Sequence, residues 1–170
     1  MRTGLEHASM KIYPPEEYQP AASAAYAKAL VALKVLAPDA RIEHVGSSAI
    51  PGAYSKGDVD ICVCVRPAGF EATLAALLSA GYRIKPDTLR TSQLCMLESG
   101  GTDIPHAVQL IAAGSKFEFF FAFRDALRRD PQLVSRYNAL KLNAARLGEA
   151  DYRREKSRFI DEVLAGENET

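Results

Sequence analysis

One stretch constrains the fold more than any other: residues 43–65, EHVGSSAIPGAYSKGDVDICVCV. A short apolar strand ends at Val45, and a tight Gly46-Ser47-Ser48 turn follows. A polar connection leads to Gly57, and a second strand runs from Asp58 to Val65, apolar from Ile61 onward. Side chains two apart in a strand point the same way, so Asp58 and Asp60 project together from its start. The turn can offer backbone N–H groups and hydroxyls to an anion. Gly46 lets the backbone approach a phosphate without a Cβ in the way, and Ser47 and Ser48 can donate to phosphate oxygens. Paired carboxylates hold hard divalent cations such as Mg²⁺. Each feature also has a plainer reading: a serine-capped turn, and polar residues at the start of a strand. Taken together they are the parts of a site for metal-assisted chemistry on a nucleotide.

A Gly-Ser, ten intervening residues and then Asp58-Val59-Asp60-Ile61 resembles the signature of the DNA polymerase β-like nucleotidyltransferase superfamily. More closely, HVGSSAIPG followed by KGDVDI is similar to the GrpB family, a branch of that superfamily. The later segments FRDALRRDPQLVSRYNALK and YRREKSRFIDEVL are similar to it as well, so the resemblance runs from about Ile42 to Leu164. It implies an α+β (α/β) fold: a nucleotidyltransferase-like mixed sheet flanked by helices, with a C-terminal helical segment closing one side of a cleft. It implies a nucleoside triphosphate with its phosphates over Gly46, Ser47 and Ser48, and Mg²⁺ on Asp58 and Asp60. Arg124 and Lys141, from the FRD and YNALK segments, become further phosphate contacts. A nucleotidyl group would pass to an acceptor that the sequence does not name.

The superfamily usually supplies a third carboxylate from a later strand. Here the matching strand, His106 to Ala112, reads HAVQLIA and contains no acid. Gln109 stands where the acid is sought, Asp103 lies just before the strand, and His106 is the candidate base. A neutral amide cannot take a proton from an incoming hydroxyl. This motivates a second reading, a non-catalytic nucleotide or small-molecule binding module. GrpB-like segments also occur fused to dephospho-coenzyme A kinases, which implies a role accessory to coenzyme A metabolism. The chain has no GxxxxGK[ST] phosphate loop of its own.

Composition narrows the class. Lys plus Arg equals Asp plus Glu at 21 each, which argues against a general nucleic-acid coat. No apolar run approaches the roughly 20 residues needed to span a bilayer. The N-terminal stretch has no apolar signal core, so the cytoplasm is the expected location. Cys62 and Cys64 alternate in a buried strand, and with Cys95 they lack zinc-site spacing.

In chain order, residues 1–13 show no period and read as loosely ordered. Pro14-Pro15 opens a helix running to Leu36, with Tyr26, Leu30, Val31 and Leu33 as its stripe. Arg41–Val45 is the first strand. Pro67 opens a helix with Phe70, Leu74, Leu77 and Leu78 on its apolar face. Tyr82–Lys85, Ser92–Glu98 and His106–Ala112 are further strands. The helical pieces Phe117–Arg129, Pro131–Leu147 and Glu149–Leu164 complete the chain. One domain is expected over 1–170, with a sheet core over about 14–114 and a helical part over 115–165. Tyr137, Asn138 and Tyr152 read as packing between helices or as a surface for a base. His44 faces either the cleft or the sheet.

Overall fold

The computed structural model describes residues 10–101 and 105–169. Its frame is one mixed sheet of β1 (Arg41–Val45), β2 (Asp60–Val65), β3 (Arg83–Ile84), β4 (Leu94–Glu98) and β5 (Ala107–Ala112), in the order β1-β2-β5-β4-β3. Strands β2 and β5 pair in parallel at the centre, and the other neighbours are antiparallel. Parallel strands are usually covered on both faces. The apolar runs Ile61–Val65 and Val108–Ala112 are accordingly buried throughout.

Alternation sorts these residues onto two faces. Ile61, Val63, Val108 and Leu110 pack with Leu33 of α1 (Pro15–Leu36) and with Leu74 and Leu77 of α2 (Phe70–Ser79). Val45, Cys62, Cys64 and Ile111 pack on the other face with Phe117 and with Phe121 of α3 (Phe119–Arg129). Each fully buried Leu, Ile or Val contributes roughly 1.5–3 kcal/mol. The cysteines are all free and buried. They act as small hydrophobes, and burial raises all three thiols above the usual range.

Two sequence expectations need correction here. The buried stripe of α1 runs through Tyr18, Ala22, Ala29 and Leu33, while Val31 is 69% exposed. The small Ala22 and Ala29, two turns apart on one face, bring the helix close to the sheet and turn Val31 outward. Leu78 of α2 is likewise exposed, one residue beyond the buried line of Phe70, Leu74 and Leu77. Of the stretch read as loosely ordered, residues 1–9 lie outside the described residues. Residues 10–13 are held in place: Tyr13 N–H donates to Ser55 O at 2.7 Å, Ser55 N–H returns the bond at 3.0 Å, and Met10 and Ile12 pack against Tyr152.

The helical half comprises α3, α4 (Pro131–Ala144) and α5 (Glu149–Glu167). Asp130 caps α4 by accepting from Gln132 N–H at 2.9 Å, and Pro131 sits at the first helical position. Tyr137 stacks on Phe159 with ring centroids 5.0 Å apart, and Phe123 meets Tyr137 edge-on at 5.5 Å. Ile50 and Ala53, from the loop between β1 and β2, complete this cluster. Among the described residues, no helix is long and apolar enough to cross a membrane.

Arg124 joins the helical half to the sheet. It is 4% exposed, donating from Nη1 to His44 O at 2.9 Å, from Nη2 to Glu43 Oε1 at 2.8 Å and from Nε to Asp125 Oδ1 at 2.9 Å. Removing it strands the His44 carbonyl and leaves Glu43 with Arg41 as its remaining arginine partner. Arg124→Ala should therefore destabilise the chain by about 3 kcal/mol, read as a lower denaturant midpoint. A change within 0.5 kcal/mol of zero, on the order of an ordinary surface substitution, would show that the joint carries no stability.

Candidate functional site

A cleft of about 570 Å³ opens between the start of β2 and the helical half. That lies within the roughly 300–1,000 Å³ usual for small-molecule sites. Gly46, Ser47, Asp58, Asp60 and Gln109 line the sheet side, and Tyr137, Tyr152, Arg153 and Lys156 line the helical side. Phe119, Phe120, Met96, Lys85 and Leu89 complete the lining.

Gly46 governs how the turn meets the carboxylate. Its φ is +72°, and a Cβ built on it would lie 2.6 Å from Asp60 Oδ2. Only glycine lets the turn close on that oxygen. The turn continues as a single 3₁₀ turn, Ser47–Ala49, which carries little of the dipole of a longer helix. Anion contact from this turn therefore falls chiefly to the Ser47 hydroxyl.

Ser47 Oγ accepts from Lys141 Nζ at 3.0 Å. The Lys141 side chain is wholly buried; its amine also donates to Tyr54 O and lies 4.0 Å from the Tyr137 ring centre. Burial, followed by the nearby Lys156 charge, pushes the Lys141 pKa down to about 6. Asn138 works beside it, accepting from Tyr54 N–H at 2.8 Å and donating to Gly52 O at 2.9 Å.

Asp58 and Asp60 both line the cleft, although β2 begins only at Asp60, where the ladder with Val45 ends. Alternation persists beyond the ladder, since Val59 between them is buried in the core. Asp58 is exposed, with Lys56 Nζ 3.8 Å from its Oδ2. Asp60 Oδ1 accepts from Gln109 Nε2 at 3.2 Å. Burial raises the Asp60 pKa; Lys156 and the Gln109 hydrogen bond oppose this, Asp58 adds to it and Lys85 opposes it. For Lys156 burial works against the charge, but Tyr137, Tyr152, Asp60 and Asp58 outweigh it and raise the pKa above the usual lysine value.

Four residues expected in the cleft do not line it, and one of them is Lys141, buried behind Ser47 as described above. Ser48 is buried and its Oγ lies 2.7 Å from His44 Nε2, because the 3₁₀ turn directs successive side chains to different sides. Arg124 is consumed by β1, as described above. His106 shares the alternation of Val108 and so faces the α2 side, away from Gln109; its Nε2 lies 2.6 Å from the Tyr82 hydroxyl. Asp103 lies outside the described residues. His44 turns to the α1 side and stacks on Tyr26 with centroids 4.8 Å apart. Burial, with Arg128 and Arg124 nearby, lowers its pKa to about 4 and keeps the ring neutral.

Sequence reasoning did not assign Arg153, Lys85 and Lys56 to the site, and it took Lys156 only as one of several basic residues of the helical part, some of which could face a triphosphate. The i, i+4 spacing of Tyr152 and Lys156 was a signal that they share a helix face. Nothing local in the sequence points to Lys85, which reaches the cleft from the far edge of the sheet.

The residues fit one hard cation better than a dedicated cage. Among the described residues, no group of three or more His, Cys, Asp or Glu is placed to hold a metal. Mg²⁺ commonly takes only one or two carboxylates together with substrate phosphates and water. Asp58 and Asp60 would supply the carboxylates, and the glycine cradle leaves Asp60 Oδ2 clear of any Cβ.

This geometry can be set beside known proteins. Residues 12–166 match the GrpB protein family. The chain belongs to the GrpB family. A UPF0157 protein of Vibrio cholerae is 48% identical over 157 residues, covering 92% of this chain and 82% of that one. A UPF0157 protein of Deinococcus radiodurans is 33% identical over 135 residues, covering 78% and 70%. The crystal structure of conserved protein GrpB from Enterococcus faecalis superposes with a TM-score of 0.72 at 23% identity, covering 92% of this chain and 98% of that one. The Cid1 poly(U) polymerase, in a structure described as MgGTP-bound, superposes with a TM-score of 0.51 at 17% identity, over 75% of this chain and 41% of its own. The fold is thus of the nucleotidyltransferase type, with a mixed sheet and flanking helices.

Two outcomes follow for this GrpB protein. Gly46→Ala forces a side chain into both a glycine-only backbone region and the Asp60 carboxylate. It should cost of the order of 1–3 kcal/mol, seen as a lower melting temperature, and a variant as stable as wild type would contradict the close approach. The second outcome concerns pH. Lys141 holds its proton less tightly in the folded chain than in the unfolded one, where lysine titrates near about 10.4. Between about pH 6 and that value the unfolded chain binds more protons, so this residue makes stability rise with pH. The unfolding free energy of wild type relative to Lys141→Met should therefore move in favour of wild type from pH 6 to pH 9. A flat difference would mean that Lys141 keeps an ordinary pKa.

Proposed function

We propose that this GrpB protein is a Mg²⁺-dependent nucleotidyltransferase that binds a nucleoside triphosphate in the cleft. The observation that carries this reading is the close approach of Gly46 to Asp60, which puts the Ser47 hydroxyl and the Asp58–Asp60 pair in one cleft. Ser47, held from behind by Lys141, donates to phosphate. Lys156 and Arg153 face the triphosphate from α5, Arg as a planar fork and Lys as a point charge. Asp58 and Asp60 hold the metal, which when bound neutralises charge on the phosphates. Most of the acceleration comes from positioning and charge neutralisation. The fold neighbour described as MgGTP-bound supports a nucleotide in this cleft. The cytoplasm, which supplies nucleoside triphosphates, is the compartment this reading requires.

A second reading, a binding module without turnover, draws on the Gln109 amide beside Asp60. The two readings share the nucleotide and differ in whether a labelled product forms.

Thermal stability with each of the four NTPs, with and without Mg²⁺, tests the shared part. Ligand at about 100 times Kd should add roughly 2.7 kcal/mol. The gain should require Mg²⁺ and should vanish in the Asp58→Ala/Asp60→Ala double variant while its fold is retained. No gain with any NTP at millimolar concentration, or a gain unchanged in the double variant, would remove this assignment.

A further inference from the structure

The sheet order divides the cleft. Gly46 and Ser47 follow β1 at one side, Asp60 lies on β2, Gln109 on β5, Met96 on β4, and Lys85 just past β3 at the other. If phosphates sit over Gly46 and Ser47, the acceptor approaches from the Gln109–Lys85 side. Two observations describe that side. Gln109 is 6% exposed, its Nε2 is held by Asp60, and its Oε1 is buried with no hydrogen-bond partner among the described residues. Lys85 lines the same cleft as Asp60, beside the apolar Leu89 and Met96.

An amide neither gives up nor takes a proton at neutral pH. An alcohol attacking here would find beside Asp60 an amide that cannot remove its proton. The ring of His106 is on the opposite face, and Lys156 is held as a cation. Resting on the transferase reading, we infer that the acceptor is an oxyanion, a phosphate monoester or a carboxylate, that needs no general base and is drawn in by Lys85. The step balances without a proton transfer. The ionised acceptor oxygen forms a bond to the α-phosphorus, the α–β anhydride bond breaks, and pyrophosphate leaves with the bonding pair. A phosphate monoester has its second pKa near about 6 and is mostly dianionic at pH 7. Gln109 is then a positioning residue that fixes Asp60.

Matched acceptors test this on the full chain with α-labelled NTP and Mg²⁺: glycerol 3-phosphate against glycerol, and butyrate against butanol. We expect the anionic member of at least one pair to be labelled ten-fold or more faster, at a rate that stays flat above pH 7. The product tells the sources apart, a pyrophosphate linkage from the phosphate and an acyl phosphate from the carboxylate. Gln109→Glu should raise labelling of the alcohols at least ten-fold and lower that of the anions. As a readout apart from turnover, the metal-free protein should be stabilised by glycerol 3-phosphate but not by glycerol, and Lys85→Ala should lose that shift. Alcohols labelled as fast as the anions would overturn the inference and leave the transferase reading standing. NTP stabilisation without any labelled product would overturn the inference in favour of a binding module. Failure of NTP stabilisation as well would remove both.

Discussion

The buried amine of Lys141 ties helix α4 to the loop between β1 and β2, and the placement of the site depends on it. That loop has only one 3₁₀ turn of regular structure, so most of its backbone polar groups need partners from elsewhere. Side chains of the helical half supply several of them, alongside Tyr18 and Gln19 of α1, which donate to Ala53 O and Ile50 O. Lys141 donates to Tyr54 O and to Ser47 Oγ, Asn138 closes on Tyr54 and Gly52, and Arg128 donates to Ala49 O at 2.9 Å. Ser47 is thus positioned by a residue 94 positions away in the chain. The helical half lines the cleft, and it also holds the phosphate turn in place from behind.

Charge in the cleft is arranged reciprocally. Asp60 is buried enough that its charged form is disfavoured, and Lys156 and the Gln109 amide compensate in part. Lys156 in turn keeps its proton against burial because Tyr137, Tyr152 and both aspartates favour its charge. Lys56 and Lys156 both lie over the Tyr152 ring, at 5.5 and 5.6 Å from its centre. The ring lowers the cost of holding two cations near one another. A cleft with an acid pair on one wall and cations on the other suits a polyanion that carries a metal of its own.

Much of this was legible in the sequence, and the reasons are local. The strands Arg41–Val45 and Ser92–Glu98 announced themselves by apolar content bounded by turn residues, and Pro131 and Gly148 marked real helix boundaries. The i, i+2 relation of Asp58 and Asp60 held even where the ladder had ended. The roles of the distant basic residues were not legible. Arg124 and Lys141 sit in segments that suggested phosphate contact, yet both are spent on carbonyls and side chains of the β1–β2 region. Spacing along one helix does not say which neighbour covers it. His106 shows the same limit, since one step of alternation across β5 decides which face it takes.

The Gln109 amide makes sense within this balance. A carboxylate at the same place would set a third negative group beside Asp60, and like charges at that range raise one another's pKa. Burial already pushes Asp60 upward, so before any cation binds an added acid would favour its protonation. The amide instead donates to Oδ1, which favours the ionised form of Asp60 and orients it without adding charge. Its cost is a buried carbonyl oxygen without a partner, about 1–3 kcal/mol for a polar group of this kind. Stability alone would favour relieving that cost, for instance with an apolar residue that asks for no partner. An apolar residue would, however, take away the donor that holds Asp60 Oδ1, so the amide keeps the acid oriented at that cost.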